Sequence, residues 1–174
     1  MIFNTVLLNV QSPKNVGMII RSHVAFNGNK IVFVGYDKPW NFKHGSQAFS
    51  RKLESKCDIL NFKEESEFFE WSKKNELLNL AIEIDESATN ITEYEFQHNC
   101  NLILGSEGKG IEKEFLQKCD DVLFIPQFGT VECLNVSISA SIAQFEFCRH
   151  QNYPVNSISG STFKVENQAS SPNS

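Results

Sequence analysis

Short, unbroken apolar runs alternate with stretches of helical periodicity, and this alternation is the strongest constraint on the fold. Residues 31–34 (Ile-Val-Phe-Val) and 102–104 (Leu-Ile-Leu) contain no polar residue, which is typical of strands covered on both faces. Strands that alternate with helices form largely parallel sheets. The sequence therefore predicts an α/β fold, with a mostly parallel central sheet and helices on both faces. The predicted strands are residues 5–10, 30–35, 57–62, 78–84, 101–105 and 122–126.

Four helices are predicted between or after these strands. Ser12 is a suitable N-cap and Pro13 a suitable first helical residue, and Asn27-Gly28 would end this first helix. A second helix over residues 64–75 begins with acidic residues and ends with lysines, which complements the helix dipole. The other two predicted helices are residues 111–118 and 134–150.

The length of the chain and its C-terminal composition indicate the domain organisation. The chain has 174 residues, which fits the roughly 100–200 residues of one domain. Residues 151–174 are rich in Ser and Asn and poor in aliphatic side chains, so they bury too little apolar surface to offset the entropy lost on ordering. We expect one folded domain over residues 1–150 and a mobile tail over residues 151–174.

Composition disfavours several classes of protein. No apolar run approaches the roughly 20 residues of a membrane span, and the first ten residues lack the features of a signal peptide. The five cysteines form no C-x-x-C pair and have no His at metal-ligand spacing. We expect a cytoplasmic protein with reduced thiols, no metal and no membrane partner. The net charge of −5 argues against nucleic-acid binding through bulk positive charge, so any such contact must be local.

Asn15, Gly17 and Arg21 form the first of three segments in which polar residues adjoin core-like sequence. Asn15 falls near the N-terminus of the first predicted helix, where free N–H groups and the helix dipole favour an anion such as phosphate. The alternative is that Asn15 caps the helix and Arg21 pairs with a surface acid. This segment alone favours that alternative, because caps and surface pairs are common.

Three glycines, Gly105, Gly108 and Gly110, lie between a predicted strand and a predicted helix. Glycine lets the backbone approach a ligand closely, and α/β proteins bind ligands at the carboxyl edge of the sheet. The segment has neither the spacing of a Walker A loop nor that of G-x-G-x-x-G. It is equally compatible with a cofactor loop and with a tight turn that binds nothing.

The third segment follows the strand that ends at Pro126. A loop containing Gly129 leads into a helix that opens with Asn135 and Ser137. These two polar residues are either helix caps or part of a ligand site, and a second loop at the same edge makes shared ligand binding more plausible. Cys133 is expected to be a small buried residue rather than a reactive thiol.

Together, the three segments resemble the three ordered motifs of the TrmH (SpoU) family of RNA ribose 2′-O-methyltransferases, in the SPOUT class. The resemblance covers residues 3–150. Gln127 and Cys133 depart from it, because the family usually has Met and Ser at these positions. The matching residues are Asn15-x-Gly17-x-x-x-Arg21 with Ala25-Phe26, then Leu104-Gly105-Ser106-Glu107-Gly108-x-Gly110, then Ile125-Pro126 with Leu134-Asn135-Val136-Ser137.

This resemblance implies a trefoil knot in the C-terminal half of the fold and S-adenosylmethionine as the cofactor. It also implies RNA, rather than DNA, as the partner, and a homodimer as the acting form. The catalytic Arg of the family falls on Arg21, and its conserved Asn, Glu and Asn fall on Asn15, Glu107 and Asn135. The cofactor loops of the family fall on Gly105, Ile125 and Leu134, with Glu107 and Gly108 adjoining.

The resemblance thus predicts an RNA methyltransferase that acts on a ribose 2′-hydroxyl. We favour tRNA over rRNA, because short relatives without an added domain often modify tRNA. The first predicted strand begins almost at Met1, so we expect a minimal catalytic domain. Two other interpretations stay open: a different α/β nucleotide-binding enzyme that uses residues 105–110 for phosphate, and a non-catalytic RNA-binding relative of the same fold.

Overall fold

The computed structural model describes residues 1–155, 157–159 and 164–166. Most of the predicted mobile tail, residues 151–174, lies outside the described residues, so its mobility stays a prediction.

A seven-stranded sheet, in which every strand pairs in parallel with its neighbours, forms the centre of the molecule. This confirms the predicted fold class. The strands are β1 (Phe3–Leu8), β2 (Lys30–Val34), β3 (Asp58–Phe62), β4 (Leu78–Ile82), β5 (Thr89–Asn90), β6 (Cys100–Leu104) and β7 (Asp121–Phe124). Their order in the sheet is β3-β2-β1-β6-β4-β7-β5. β5 has two residues, too few for an apolar pattern to reveal it. A separate antiparallel pair joins β8 (Ser157–Ser159) to β9 (Lys164–Glu166).

Five α-helices connect or follow these strands within the described residues. They are α1 (Pro13–Ala25), α2 (Ser46–Ser50), α3 (Glu65–Lys74), α4 (Lys113–Leu116) and α5 (Val136–His150). The helix predicted over residues 111–118 is shortened to α4, and α2 was not predicted. A 3₁₀ turn over Leu53–Lys56 follows α2.

Gly17 explains how α2 packs so closely on α1. A Cβ at Gly17 would lie 2.5 Å from the Ser46 carbonyl oxygen and 2.7 Å from the Phe49 Cβ. The side chains of Ser46 and Ser50 are buried. The segment 43–52, which is rich in Gly and Ser, therefore contributes to the packed interior, and only a contact between segments distant in sequence reveals this.

The helices cover both faces of the sheet, as the sequence predicts. On β1, Leu7 faces the core that contains residues of α1 and α5, whereas Val6 and Leu8 face the core that contains Phe68 of α3 and Phe115 of α4. This alternation follows from the two-residue period of a strand. Both faces are apolar because both are covered.

Buried asparagines bridge three central strands near their amino ends. Asn4 of β1, Asn101 of β6 and Asn79 of β4 are in register. The Asn4 side-chain amide donates to the Asn101 Oδ1 at 2.9 Å, and the Asn101 amide donates to the Asn79 Oδ1 at 2.9 Å. Burying an amide is costly unless it is hydrogen-bonded, so this row stabilises one strand register and disfavours the alternatives.

We predict that His23 makes the stability of the fold depend on pH. Its side chain is buried, and a 2.9 Å hydrogen bond joins its Nδ1 to the Thr5 hydroxyl. Burial lowers the pKa of His23 from 6.5 to about 4. The unfolded chain therefore takes up this proton first as the pH falls, and the contribution of His23, fully present above pH 6.5, is lost between pH 6.5 and about 4.

The corresponding loss in the free energy of unfolding is about 3 kcal/mol. Urea unfolding of the wild type, His23→Gln and His98→Gln measured across this pH range checks it. His98 is exposed, so its replacement should leave the pH dependence in place, whereas His23→Gln should remove most of it. Equal pH dependence in all three proteins would contradict the prediction.

Candidate functional site

A cavity of about 640 Å³ opens at the carboxyl edge of the sheet. Its walls come from the ends of β4 and β6, from the loop between β7 and α5, and from the first turn of α5. Ligand sites of this size, bounded by the carboxyl ends of parallel strands, are characteristic of α/β proteins. Every predicted cofactor-contact residue lines the cavity, namely Gly105, Glu107, Gly108, Ile125 and Leu134.

The glycine loop, residues 105–110, closes tightly on itself. The Gly110 N–H donates to the Ser106 carbonyl at 3.0 Å, and a Cβ at Gly105 would lie 2.4 Å from the Gly110 carbonyl carbon. Gly110 has a φ of +65°, which favours glycine. By contrast, a Cβ at Gly108 would have no neighbour within 4 Å. Gly105 and Gly110 are thus required by the turn, while Gly108 leaves open space at the cavity.

Glu107 connects the glycine loop to the start of α1. Its carboxylate accepts hydrogen bonds from the Gln11 N–H at 3.0 Å, the Ser12 N–H at 3.0 Å and the Asn15 side-chain amide at 2.8 Å. The helix N-terminus, where the sequence allows an anion to bind, is therefore occupied by a carboxylate of the protein itself. This arrangement is electrostatically favourable because the helix dipole is positive at that end.

Asn135 extends this connection to α5. Its side-chain amide donates to the Asn15 Oδ1 at 3.2 Å, while its own Oδ1 accepts from the Ser137 N–H at 2.9 Å. Asn135 therefore caps α5, as one interpretation held, and also bonds to α1. The capping interpretation of Asn15 is wrong, because Ser12 is the N-cap of α1. We call Asn15, Glu107 and Asn135 the polar junction.

The hydrogen bonds of the polar junction keep Glu107 ionised. Its partial burial alone would raise the pKa of the carboxyl, but donation from Gln11, Asn15 and Ser12 outweighs burial and lowers the pKa below its ordinary value. Near neutral pH, Glu107 is therefore an acceptor only. The Asn15 side-chain amide and the N–H groups of Gln11 and Ser12 are therefore the donors in these hydrogen bonds.

The two departures from the family pattern both lie at the cavity. The Gln127 Oε1 is buried and has no hydrogen-bond partner among the described residues, so an acceptor is available to a ligand N–H. Cys133 lines the cavity and is exposed. The expectation that it is buried is wrong, because it lies in the irregular loop before α5.

Arg21 is not brought to the cavity of its own chain. It is exposed, it does not line the cavity, and no ion pair involves it among the described residues. The six residues from Asn15 to Arg21 correspond to roughly 9 Å along the helix and to a different helical face. The polar junction thus unites three of the four predicted catalytic residues. The alternative of a surface ion pair for Arg21 is likewise not realised within the part of the chain that the structure describes.

Glu83 is a site residue that sequence analysis missed. It follows β4 directly, lines the cavity, and its Oε2 accepts from the Ile111 N–H at 2.9 Å. It therefore fixes the end of the glycine loop from the neighbouring strand. Its position in the sequence could have revealed Glu83, because a polar residue directly after an apolar strand lies at the carboxyl edge of the sheet, where ligands bind.

Residues 1–155 and the two short terminal strands contain no cluster of three or more His, Cys, Asp or Glu side chains placed to hold a metal ion. In the same part of the chain, no helix has the length and apolar character needed to cross a membrane.

The parallel sheet, the cavity at its carboxyl edge and the glycine loop define an α/β protein with the kind of site at which such folds bind small ligands. The family is given by comparison with known proteins. A family model described as the SpoU rRNA Methylase family matches residues 3–145. The chain belongs to this family, which confirms the resemblance stated above. The trefoil knot that family membership implies stays a prediction for this chain.

The chain matches only part of the length of each of these relatives. The chain is 27% identical over 149 residues to the 23S rRNA (guanosine-2'-O-)-methyltransferase RlmB of Coxiella burnetii, covering 86% of this chain and 59% of the relative. It is 35% identical over 68 residues to RlmB of Acinetobacter baylyi, which is 39% of this chain and 27% of the relative. The chain thus spans less than two thirds of these relatives.

Solved structures share the fold. The AdoMet-bound rRNA methyltransferase from Sinorhizobium meliloti matches with a TM-score of 0.79 at 23% identity, covering 86% of this chain and 56% of that one. A structure described as giving insights into the 2-OH methylation of C/U34 on tRNA matches with a TM-score of 0.77 at 19% identity. That match covers 87% of this chain and 97% of the other.

We predict that Asn15→Asp destabilises the polar junction. The new carboxylate can still accept from Asn135, but it faces Glu107 where an amide donated across 2.8 Å. Losing a hydrogen bond to a charged group and gaining a like charge should lower the free energy of unfolding by about 1–3 kcal/mol.

The double variant Asn15→Asp with Glu107→Gln serves as the matched control, because a glutamine amide can donate to the new aspartate. Urea unfolding at neutral pH should show that the double variant recovers part of the loss. If the loss in the free energy of unfolding in the double variant equals the sum of the losses in the two single variants, the direct contact between these side chains is not what stabilises the junction.

Proposed function

We propose that the chain is an S-adenosylmethionine-dependent RNA methyltransferase that modifies a ribose 2′-hydroxyl. The observation that carries this proposal is the polar junction, which ties the three family motifs around one cavity of about 640 Å³. Membership of the SpoU rRNA Methylase family supports the class of reaction. The AdoMet bound to the structural relative from Sinorhizobium meliloti supports the identity of the cofactor.

The cavity has the groups needed to hold this cofactor. Ile125 and Leu134 supply apolar walls for an adenine ring, and the open side of Gly108 leaves room beside them. The buried Gln127 Oε1, which lacks a partner in the described part of the chain, can accept a hydrogen bond from an amino group. When bound, S-adenosylmethionine supplies an activated methyl group on a sulfonium centre.

Arg21 is the group that we assign to the RNA side of the reaction. Its planar guanidinium can bind a phosphate through two parallel hydrogen bonds and stabilise the charge that develops on the 2′-oxygen as its proton leaves. Guanidinium groups are poor bases, so we assign Arg21 a role through its charge and its hydrogen-bond donors. Because Arg21 lies outside the cavity of its own chain, we propose that it acts at the cavity of the second subunit of a homodimer.

Exposed apolar residues on α5 support this dimer. Ile138 and Phe145 are about half exposed, at 48% and 52%, and their spacing of seven residues puts them on one face of the helix. α5 also packs against α1, where the hydroxyls of Ser22 and Ser141 lie 2.6 Å apart. An apolar face next to the helix that carries Arg21 is suited to a symmetric contact, since such an interface uses the same surface on both copies.

For the target, we propose tRNA rather than rRNA. The structural relative described as giving insights into the 2-OH methylation of C/U34 on tRNA is matched over 97% of its length, whereas the RlmB relatives, named for 23S rRNA, are matched over smaller fractions. The experiment is incubation with a methyl-labelled donor and either unmodified tRNA or 23S rRNA, followed by nuclease digestion and identification of the labelled nucleoside. We expect a 2′-O-methylated nucleoside from tRNA.

Label only from 23S rRNA would overturn the choice of RNA, and label on a base would overturn the choice of atom. Calorimetry with S-adenosylhomocysteine, ATP and NAD addresses the alternatives. Strong binding of ATP or NAD alone would favour another nucleotide-binding enzyme. S-adenosylhomocysteine binding without any transfer to either RNA would favour a non-catalytic RNA-binding relative.

We predict that Arg21→Lys retains the affinity for S-adenosylhomocysteine but lowers methyl transfer by about 100-fold, because a point charge cannot form the same two-pronged contact. Lys74→Arg is the matched control, since it exchanges the same two side chains at an exposed position at the end of α3, on the opposite face of the sheet. Calorimetry gives the first quantity and the labelling assay gives the second. Near-normal transfer by Arg21→Lys would refute the role of Arg21.

A further inference from the structure

Charge is distributed very unevenly along this acidic chain. Residues 1–57 contain eight Lys and Arg but only two Asp and Glu, whereas residues 58–174 contain eight Lys and Arg and nineteen Asp and Glu. The chain has a net charge of −5 as a whole, yet its first third is strongly basic. A local concentration of this kind can bind a polyanion even when the net charge is negative.

Six exposed cations of this region form what we call the basic face, and they lie on three connected elements: α1, the two ends of α2 and the 3₁₀ turn. None of the six is in an ion pair among the described residues, and the same holds for Lys73 and Lys74 at the end of α3. The basic face consists of Lys14, Arg21, Lys43, Arg51, Lys52 and Lys56.

The packing of α1 on α2 brings these cations to one side of the molecule. Lys14, Gly17 and Arg21 are spaced by three and four residues and so lie along one face of α1. Gly17 is the point at which α2 contacts that face. Lys14 and Arg21 therefore lie on either side of α2, whose ends adjoin Lys43 and Arg51.

The turn that carries Arg51 and Lys52 is held in an unusual backbone conformation. Both residues are left-handed, with φ of 54° and 62°, which is unfavourable for side chains other than Gly, Asn and Asp. Two hydrogen bonds hold the turn. The Lys52 N–H donates to the Ser50 Oγ at 3.2 Å, and the Ser50 hydroxyl donates to the buried Glu54 carboxylate at 2.5 Å. Such strain persists only where surrounding contacts impose it, so the two cations project from a fixed position.

The basic face adjoins the cavity through the first turn of α1. Lys14 is the neighbour of Asn15, whose side chain bonds to Glu107 and Asn135 at the cavity wall. One end of the basic face, at Lys14, is therefore next to the cavity of its own chain, whereas Arg21 at the other end is the residue that we assign to the cavity of the second subunit. The face lacks a broad exposed apolar centre, since its largest apolar side chain, Phe49, is 37% exposed. Protein interfaces usually have such a centre, whereas phosphate-binding surfaces do not need one.

We propose that the basic face binds the phosphate backbone of the substrate RNA on the segment that flanks the modified nucleotide. This assignment rests on the proposed function for the identity of the polyanion. The acidic remainder of the chain repels RNA, and the unpaired cations attract it. Repulsion and attraction together orient the RNA so that it contacts the protein on the basic face, next to the polar junction.

The test compares the double variant Arg51→Gln with Lys52→Gln against the control Lys73→Gln with Lys74→Gln. The control removes the same charge from exposed residues at the end of α3, on the opposite face of the sheet. Binding of a fluorescent tRNA transcript is followed by anisotropy over a series of salt concentrations. We expect the first variant to bind roughly tenfold more weakly, with a slope of log affinity against log salt that is smaller by between about one and two.

The control should keep both the wild-type affinity and the wild-type slope. Equal effects of the two double variants, or an unchanged slope in the first, would overturn the proposal. Thermal unfolding identifies a folding defect. If the variant Arg51→Gln with Lys52→Gln unfolds at a lower temperature, a second double variant replaces it. This variant is Lys43→Gln with Lys56→Gln, which lies outside the strained turn. Its affinity and salt slope are compared with those of the same control, and the same outcomes support or overturn the proposal.

The outcome is distinguishable from failure of the proposed function. Calorimetry with S-adenosylhomocysteine tests the cavity without RNA, and the expected affinity is the same in the wild type and in both double variants. RNA binding that depends on the basic face, in a chain that transfers no methyl group, would leave this inference standing and overturn the proposed reaction. Wild-type methyl transfer by the Arg51→Gln with Lys52→Gln variant would overturn this inference and leave the proposed reaction standing.

Discussion

The carboxylate of Glu107 joins the glycine loop to the start of α1, and the shape of the cavity depends on this contact. Three donors, two of them main-chain N–H groups, converge on the carboxylate. A charged acceptor at a helix N-terminus is stabilised by the helix dipole and by hydrogen bonds that are stronger than neutral ones. Through Asn15 the same contact reaches Asn135 and the cap of α5. Segments separated by more than a hundred residues are thereby held at one edge of the sheet.

This arrangement gives the two sides of the site different tasks. The cavity side is formed by strand ends, by the glycine loop and by the first turn of α5, and it can enclose a small ligand. The outer side is formed by α1, α2 and the 3₁₀ turn, and it carries six cations that form no ion pair among residues 1–155. The polar junction lies between them. A reaction between a small donor and a polyanionic acceptor requires this kind of division, because each reactant must be oriented separately before they meet.

Much of the fold follows from local sequence patterns. Apolar runs of strand length predict six of the seven strands of the sheet, and the runs without a polar residue predict that the sheet is covered on both faces. The two-residue strand β5 carries no pattern. Helix α2 was missed for a different reason: its serines are buried because Gly17, far away in sequence, lets α1 approach. A contact of this kind has no local signature.

The candidate site, like the fold, could be predicted from the sequence only in part. The motif residues Asn15, Glu107 and Asn135 could be selected from the sequence, but their pairing with one another could not, because Asn15 and Glu107 are 92 residues apart. The anion at the start of α1, which the sequence allowed but did not favour, is an internal carboxylate rather than a ligand. Arg21 was selected by its motif, and its distance from the cavity of its own chain became visible only once the direction of the helix was known.

Amide hydrogen–deuterium exchange with and without S-adenosylhomocysteine tests the central claim most directly, because it reports on each segment of the polar junction separately. If the junction couples the segments around one ligand, exchange should slow together at residues 11–15, 105–111 and 133–137. Slowing confined to other parts of the chain, or no change at a saturating concentration of the ligand, would contradict the account.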